Sequence, residues 1–242
     1  RINRRQRQMC IRDSLYAGTP SNSAKILRYL AKLKPFNIKG VLTQPDKKGK
    51  RGNNLLESPV AIAAKDLKLE VFKPENLNSN EIISNLGLLN IDFLVVIAYG
   101  KIIPSWLLEL PSKSSINVHF SILPKYRGAS PIQSALLNGD DSSGISIIEM
   151  SEALDAGDIF SSFIVKINPE DNKSTLENKL TNKCITELPT TLDLVKANKI
   201  EAKKQDNSSA SYCKKITKSD SIIDFNETTR SIINKFRAFY GW

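Results

Sequence analysis

Histidine is nearly missing from this chain, with one in 242 residues, and cysteine is scarce, with three. Cys10, Cys184 and Cys213 show no CxxC spacing, so too few soft ligands remain for a zinc site and no metal is expected. They read as free thiols of a reducing compartment. No apolar run nears the roughly 18 residues that a membrane span requires, and no membrane association is expected. The charged N-terminus is not followed by the apolar stretch of a secretory signal, which makes the cytoplasm, a bacterial cytosol or an organelle matrix, the expected compartment. Absent too are GxGxxG, GxxxxGK(S/T) and GxSxG, the common fingerprints of dinucleotide sites, nucleoside triphosphate sites and serine hydrolases.

What is present suits a folded globular chain: 40% hydrophobic and 25% charged residues, enough for one sizeable α/β core. A net charge of +10 concentrates polyanions at the surface and suggests nucleic acid as a partner, although many lysine-rich proteins bind none.

The first 14 residues carry five arginines and no periodic apolar face, so they read as an arm outside the core. From Leu15 the pattern becomes strand, turn and helix: LYAG, then Thr19-Pro20-Ser21, then SAKILRYLAKL with apolar spacing of three and four. Ile38 to Thr43 predicts a second strand, the polar stretch QPDKKGKRGNN a long basic loop, and Glu57 to Leu67 another helix. Asp92 to Ala98, DFLVVIA, is the continuous apolar run of a strand buried on both faces of a parallel sheet. SINV at 115–118, a helix from Pro131 to Leu137, GISIIEM at 144–150, a strand from Ile159 to Ile167 and a helix from Thr175 to Asn198 continue the alternation. That order argues for a doubly wound α/β domain with a mostly parallel sheet. KKQDNSSAS at 203–211 has the composition of a linker.

Chemistry concentrates in SINVHFSILPKYRGASPIQ. Asn117 and His119 stand two apart at the end of a predicted strand, so their side chains share a face. Ligands of open parallel sheets bind beyond the carboxyl ends of strands, where this pair would project. A lone histidine at a strand end is as readily structural as catalytic; what shifts the balance is the proline-bearing SILP, the YRGAS turn and the acidic LDAGD motif at 154–158.

NVHFSILPKYRGASPIQ resembles the N-x-H-x-S-L-L-P signature of the 10-formyltetrahydrofolate-dependent formyltransferases, and LDAGD resembles their L-D-x-G-D loop. AGTP at 17–20, TQPDKKGKRG at 43–52, SPV at 58–60 and VVIAYGKIIP at 95–104 are similar to the branch whose acceptor is methionyl initiator tRNA; the similarity runs from about Leu15 to Trp242. The resemblance implies a Rossmann-like catalytic domain over 15–203, then a linker and the start of a truncated C-terminal β-barrel (OB-like) domain over 204–242. It implies 10-formyltetrahydrofolate as donor, initiator Met-tRNA as partner, a role in translation initiation, and a monomer. Asn117 and His119 would donate hydrogen bonds to the oxyanion that forms when an amine attacks a formyl carbon. Asp155 would be the carboxylate beside that histidine, assisting proton removal through a water. Asp158 is the rival acid, but the family pattern uses the first aspartate and leaves the second to fix the Gly157 turn. Ser121, Ile122, Leu123 and Pro124, together with Tyr99, Gly100, Lys101, Ile102 and Ile103, would contact the folate. Arg51 matches the family's characteristic tRNA-loop arginine, and Lys47, Lys48 and Lys50 would contact phosphates.

Two places depart from the pattern. Phe120 and Ile122 replace the usual small residue and leucine, and Arg12 and Asp13 stand where a buried apolar first strand belongs. The expectation is therefore that residues 1–14 are foreign to the family and that the first strand is truncated. Two other functions compete: a formyltransferase with a different acceptor, a nucleotide amino sugar or glycinamide ribonucleotide, and a non-catalytic nucleic-acid-binding module on the same scaffold. The basic loop and the start of a C-terminal domain favour tRNA over the first, although an enzyme for amino-sugar nucleotides can also carry much of that loop and domain plan and is the stronger competitor. The Asn, His and Asp set speaks against the second.

Overall fold

The computed structural model describes residues 12–49 and 55–241, so Cys10, Lys50 and Arg51 lie outside the described residues. The chain forms two compact units, residues 1–117 and 118–242.

The first unit begins with β1 (Arg12–Gly18), which turns at Thr19-Pro20 into α1 (Ser21–Leu30). Gly18 makes that turn possible, because a Cβ there would lie 2.0 Å from Ser23 Oγ and 2.9 Å from the Ile97 carbonyl oxygen. β2 (Phe36–Leu42) follows, then a two-residue antiparallel ribbon of β3 (Lys47–Lys48) and β4 (Leu55–Leu56). α2 (Pro59–Asp66) starts with proline in its first turn and with the Ser58 side chain accepting from the Ala61 N–H at 3.0 Å. β5 (Val71–Phe72), α3 (Asn80–Gly87), β6 (Phe93–Ile97), the short α4 (Ser105–Leu108) and β7 (Ser114–His119) complete the series, β7 running across the division between the units. The strands lie in the order β5-β2-β1-β6-β7, all parallel. Strand order therefore reverses between β1 and β6, and beyond their carboxyl ends such sheets leave a crevice. β6 is buried at all five positions, as its unbroken apolar run requires.

One expectation is corrected here. Residues 12–14, assigned to the arm, are part of the central strand: Arg12, Asp13 and Ser14 pair with Phe36, Asn37 and Ile38, and Ser14 pairs with Phe93 on the other side. Polar residues fit because this is the strand's amino end, at the rim of the sheet. Asp13 accepts from Asn37 and faces Lys39 at 3.6 Å, while its N–H donates to the Asp92 carboxylate. Arg12 lies with its guanidinium over the Phe36 ring, 4.5 Å from the centroid, which covers its apolar surface while the strand pairs.

The second unit holds β8 (Arg127–Gly128), α5 (Pro131–Leu137), β9 (Ser142–Glu149), β10 (Ile159–Lys166), α6 (Lys173–Lys196), β11 (Tyr212–Cys213) and α7 (Thr229–Ala238). β9 and β10 form an antiparallel pair joined by residues 150–158, the loop that carries LDAGD. α6 opens with a capping box between Asn172 and Thr175 and buries Leu176, Leu180, Cys184, Leu188 and Leu192, a stripe at intervals of four. The segment expected as a linker does more than connect. Lys203 bridges to Ile159, and β11 pairs in parallel with β8. α7 then packs on α5.

Candidate active site

β7 delivers Asn117 and His119 to one face at its carboxyl end. His119 is almost buried and its ring is held at both nitrogens. Nε2 lies 2.8 Å from the Tyr126 carbonyl oxygen, and Nδ1 lies 3.6 Å from Asp155 Oδ2. A carbonyl oxygen can only accept, so Nε2 carries a proton in that bond. Nδ1 is consequently the nitrogen that can gain or lose one, and it faces a carboxylate.

Asp155 sits in the β9–β10 loop with φ +49°, in the left-handed region, where a residue that is not glycine is strained. Its carboxylate accepts from the Gly128 N–H at 2.8 Å, and its carbonyl oxygen accepts from Gln205 Nε2 at 2.8 Å. Gly128 has φ +117°, and a Cβ there would meet the Cys213 carbonyl oxygen at 2.2 Å, so glycine is what lets β8 lie against β11 with its N–H aimed at Asp155. Asp158 supports the same loop differently: its carbonyl oxygen accepts from the Glu149 N–H at 2.8 Å.

The SILP segment divides by burial. Ser121 and Leu123 face inward, Ser121 Oγ donating to the Lys125 carbonyl at 2.6 Å and the Leu123 N–H donating to Ser146 Oγ at 3.0 Å. Ile122 and Pro124 remain half-buried, and the Leu123–Pro124 peptide is cis. Ile122 lies against Gly144, where a Cβ would come within 2.2 Å of its Cδ1.

In the first unit, the turn after β6 is divided in the same way. The Tyr99 carbonyl oxygen accepts from Thr19 Oγ1 at 2.8 Å and from Gln44 Nε2 at 2.9 Å, which ties AGTP to the switch point. The Tyr99 side chain is buried, its hydroxyl has no hydrogen-bond partner among the described residues, and burial pushes the phenol up to about 12. Lys101 is engaged with the Pro74 and Glu75 carbonyls, and Ile103 is buried. Ala98, Gly100 and Ile102 are the exposed members. Lys47 and Lys48 are exposed on their ribbon opposite the exposed Leu56 and Leu55. Among the described residues no group of three or more His, Cys, Asp or Glu side chains is placed to hold a metal, and no helix is long and apolar enough to cross a membrane.

Tyr126, Gly128 and Gln205 touch the His119–Asp155 pair and were not among the candidates read from sequence. Tyr126 and Gly128 act through backbone groups, which leave no residue-type signal. Gln205 sits in a stretch whose composition reads as a linker.

The scaffold is thus a parallel α/β one that presents an Asn-x-His strand end, its histidine facing a carboxylate on a following loop. The family model described as formyl transferase matches residues 14–192, and the chain belongs to that family. It is 39% identical over 229 residues to the methionyl-tRNA formyltransferase of Sulfurihydrogenibium sp., the match covering 94% of this chain and 73% of that protein. To the methionyl-tRNA formyltransferase of Nitrosomonas eutropha it is 42% identical over 228 residues, covering 93% and 71%. Among solved structures, an N-formyltransferase from Helicobacter canadensis, in complex with folinic acid and dTDP-3-aminofucose, matches with a TM-score of 0.67 at 24% identity, over 95% of this chain and 80% of that one. At that identity the likeness bears on fold alone.

Proposed function

We propose that this chain transfers the formyl group of 10-formyltetrahydrofolate to the amino group of methionyl initiator tRNA. The observation that carries the reading is the pairing of His119 Nδ1 with Asp155 at 3.6 Å on a fold whose 39–42% identical relatives are methionyl-tRNA formyltransferases. The neutral amine attacks the formyl carbon, a new C–N bond forms, and charge develops on the formyl oxygen. Asn117 and the protonated Nδ1 of His119 donate to that oxygen, with Asp155 balancing the imidazolium. The amine's proton leaves through a water to Asp155. As the oxygen returns its electron pair, the bond to the folate nitrogen breaks and that nitrogen takes the proton back from Asp155 through the same water. On the family resemblance, Ser121, Ile122, Leu123 and Pro124 in the second unit and Tyr99, Gly100, Lys101, Ile102 and Ile103 in the first are each assigned to folate contact. Lys47, Lys48, Lys50 and Arg51 contact the tRNA. The chain acts as a monomer in the cytoplasm.

The test offers three acceptors with the same donor: initiator Met-tRNA, a nucleotide amino sugar and glycinamide ribonucleotide. Formylation of Met-tRNA alone is expected. Transfer to either small acceptor and not to tRNA would reassign the substrate.

A further inference from the structure

Gln205 lies outside the matched residues 14–192, yet its amide is saturated at the candidate active site. Oε1 accepts from Arg127 Nε at 3.1 Å and from Arg127 Nη2 at 2.8 Å. Nε2 donates to the carbonyl oxygens of Asp155 at 2.8 Å and Gly157 at 2.7 Å. Chemistry permits one orientation of this amide, because a guanidinium can only donate and a carbonyl can only accept. Arg127 in turn is buried and held by three neutral acceptors, Gln205, Asn207 Oδ1 at 2.8 Å and the Tyr212 hydroxyl at 3.3 Å. Its guanidinium also lies 5.9 Å from the centre of the Tyr212 ring.

The clamped carbonyls are those of the strained part of the loop. Asp155 is at φ +49°, and Gly157 is where a Cβ would strike the Glu149 carbonyl oxygen at 1.8 Å. A residue held in the left-handed region persists when its surroundings over-determine it. Two groups do so here: the Gly128 N–H fixes the carboxylate and the Gln205 amide fixes the peptide behind it.

We propose that Gln205, oriented by Arg127, is a positioning residue that holds the Asp155 carboxylate against His119 Nδ1. The inference rests on the formyl-transfer reading for its consequence in catalysis, but its geometric content is independent of it. Replacing Gln205 removes two hydrogen bonds to the loop and leaves the buried Arg127 short of an acceptor. The loop is then free to relax toward ordinary backbone angles, and Asp155 withdraws from the ring.

The measurement is made in the complete protein with Gln205→Ala and with Gln205→Met, which keeps the side chain's bulk and loses its hydrogen bonds. The first readout is the imidazole nitrogen spectrum of His119, recorded by proton–nitrogen correlation NMR, assigned by its loss in His119→Ala and followed against pH. The expected result is that either Gln205 variant displaces the Nδ1 signal and its titration in the same sense as Asp155→Asn. Unchanged Nδ1 signal and titration in a folded Gln205 variant would overturn the proposal, whatever the enzyme's acceptor. If both variants fail to fold, Arg127→Lys is the second route: it keeps the charge, loses the forked geometry, and is expected to give the same displacement in smaller degree. An unaltered ring spectrum in Arg127→Lys would then overturn it.

The second readout is formyl transfer. Gln205→Met is expected to lower kcat about 10-fold or more with KM for donor and acceptor within about twofold, and to add little further loss in the Asp155→Asn background. Equal losses in both backgrounds would place Gln205 outside the Asp155 function. If the wild-type protein formylates a different acceptor, the proposed function fails while the clamp is still judged by the ring spectrum.

Discussion

At the scale of single residues, the tension in this molecule lies where polar groups are buried or backbones are strained. Tyr99 buries a hydroxyl with no protein partner among the described residues, an arrangement that costs about 1–3 kcal/mol when nothing compensates it. Tyr99→Phe is therefore expected to leave the unliganded protein as stable or to stabilise it by about 1 kcal/mol, read from urea unfolding. A loss of stability would show that the hydroxyl is already satisfied. Gly157 is the opposite case. A methyl group there would stand 1.8 Å from the Glu149 carbonyl oxygen, so Gly157→Ala forces the LDAGD loop to move. The expected outcome is destabilisation of about 1–3 kcal/mol together with a fall in kcat, because Asp155 is two residues away. Wild-type kcat in that variant would separate the loop from the chemistry.

At the scale of elements, the amino end of α6 shows how a helix is anchored. Burial alone would raise the Asp171 carboxyl, but the Lys179 ammonium, the Asn168 N–H and the Thr175 hydroxyl outweigh it and hold the group below the usual carboxylate range. A carboxylate depressed in the folded state stabilises the fold above its unfolded value of about 3.9, and that contribution is lost as pH falls through the folded value. Asp171→Asn is accordingly expected to cost about 1.5–3 kcal/mol at pH 7, the range for hydrogen bonds to a charged group, and progressively less as pH falls below the ordinary carboxylate range toward the depressed folded value. A deficit that stays constant down to the pH of acid unfolding would mean that the ionised form does not matter. Most elements were legible from pattern. β6 announces itself as five apolar residues in succession, and α6 as a stripe at intervals of four. The first half of β1 was not legible, because Arg12 and Asp13 sit at a sheet rim where cation–π stacking and rim carboxylate contacts replace apolar burial. Spacing on a strand put Asn117 and His119 on one face, and the motifs around them made them candidates, whereas the Gly128 N–H and the Tyr126 carbonyl could not be read at all, since any residue type supplies them. Gln205 was hidden by its neighbours: KKQDNSSAS has the composition of a linker, and only the path of the chain back across β8 reveals what it holds.

At the scale of the whole molecule, a net charge of +10 on 242 residues sets the expected behaviour toward a polyanionic substrate. KM for initiator Met-tRNA should rise steeply with salt, and the double variant Lys47→Ala, Lys48→Ala should weaken binding and flatten that dependence by about two units of logarithmic slope or less. KM for the folate donor should hardly respond. A salt-independent KM for tRNA would remove charge from the recognition. On the proposed reading, formyl transfer is assigned to Asn117, His119 and Asp155 and acceptor choice to the basic stretch that includes Lys47 and Lys48. The most direct test of the central claim is single-turnover formylation of initiator Met-tRNA with 10-formyltetrahydrofolate by the wild type and by Asn117→Ala, His119→Ala and Asp155→Asn. The expected result is formyl-methionyl-tRNA from the wild type and a rate reduced by about 100- to 1,000-fold or more in each variant, the scale of losing an oxyanion donor or its partner. Wild-type rates in the His119 and Asp155 variants would contradict it.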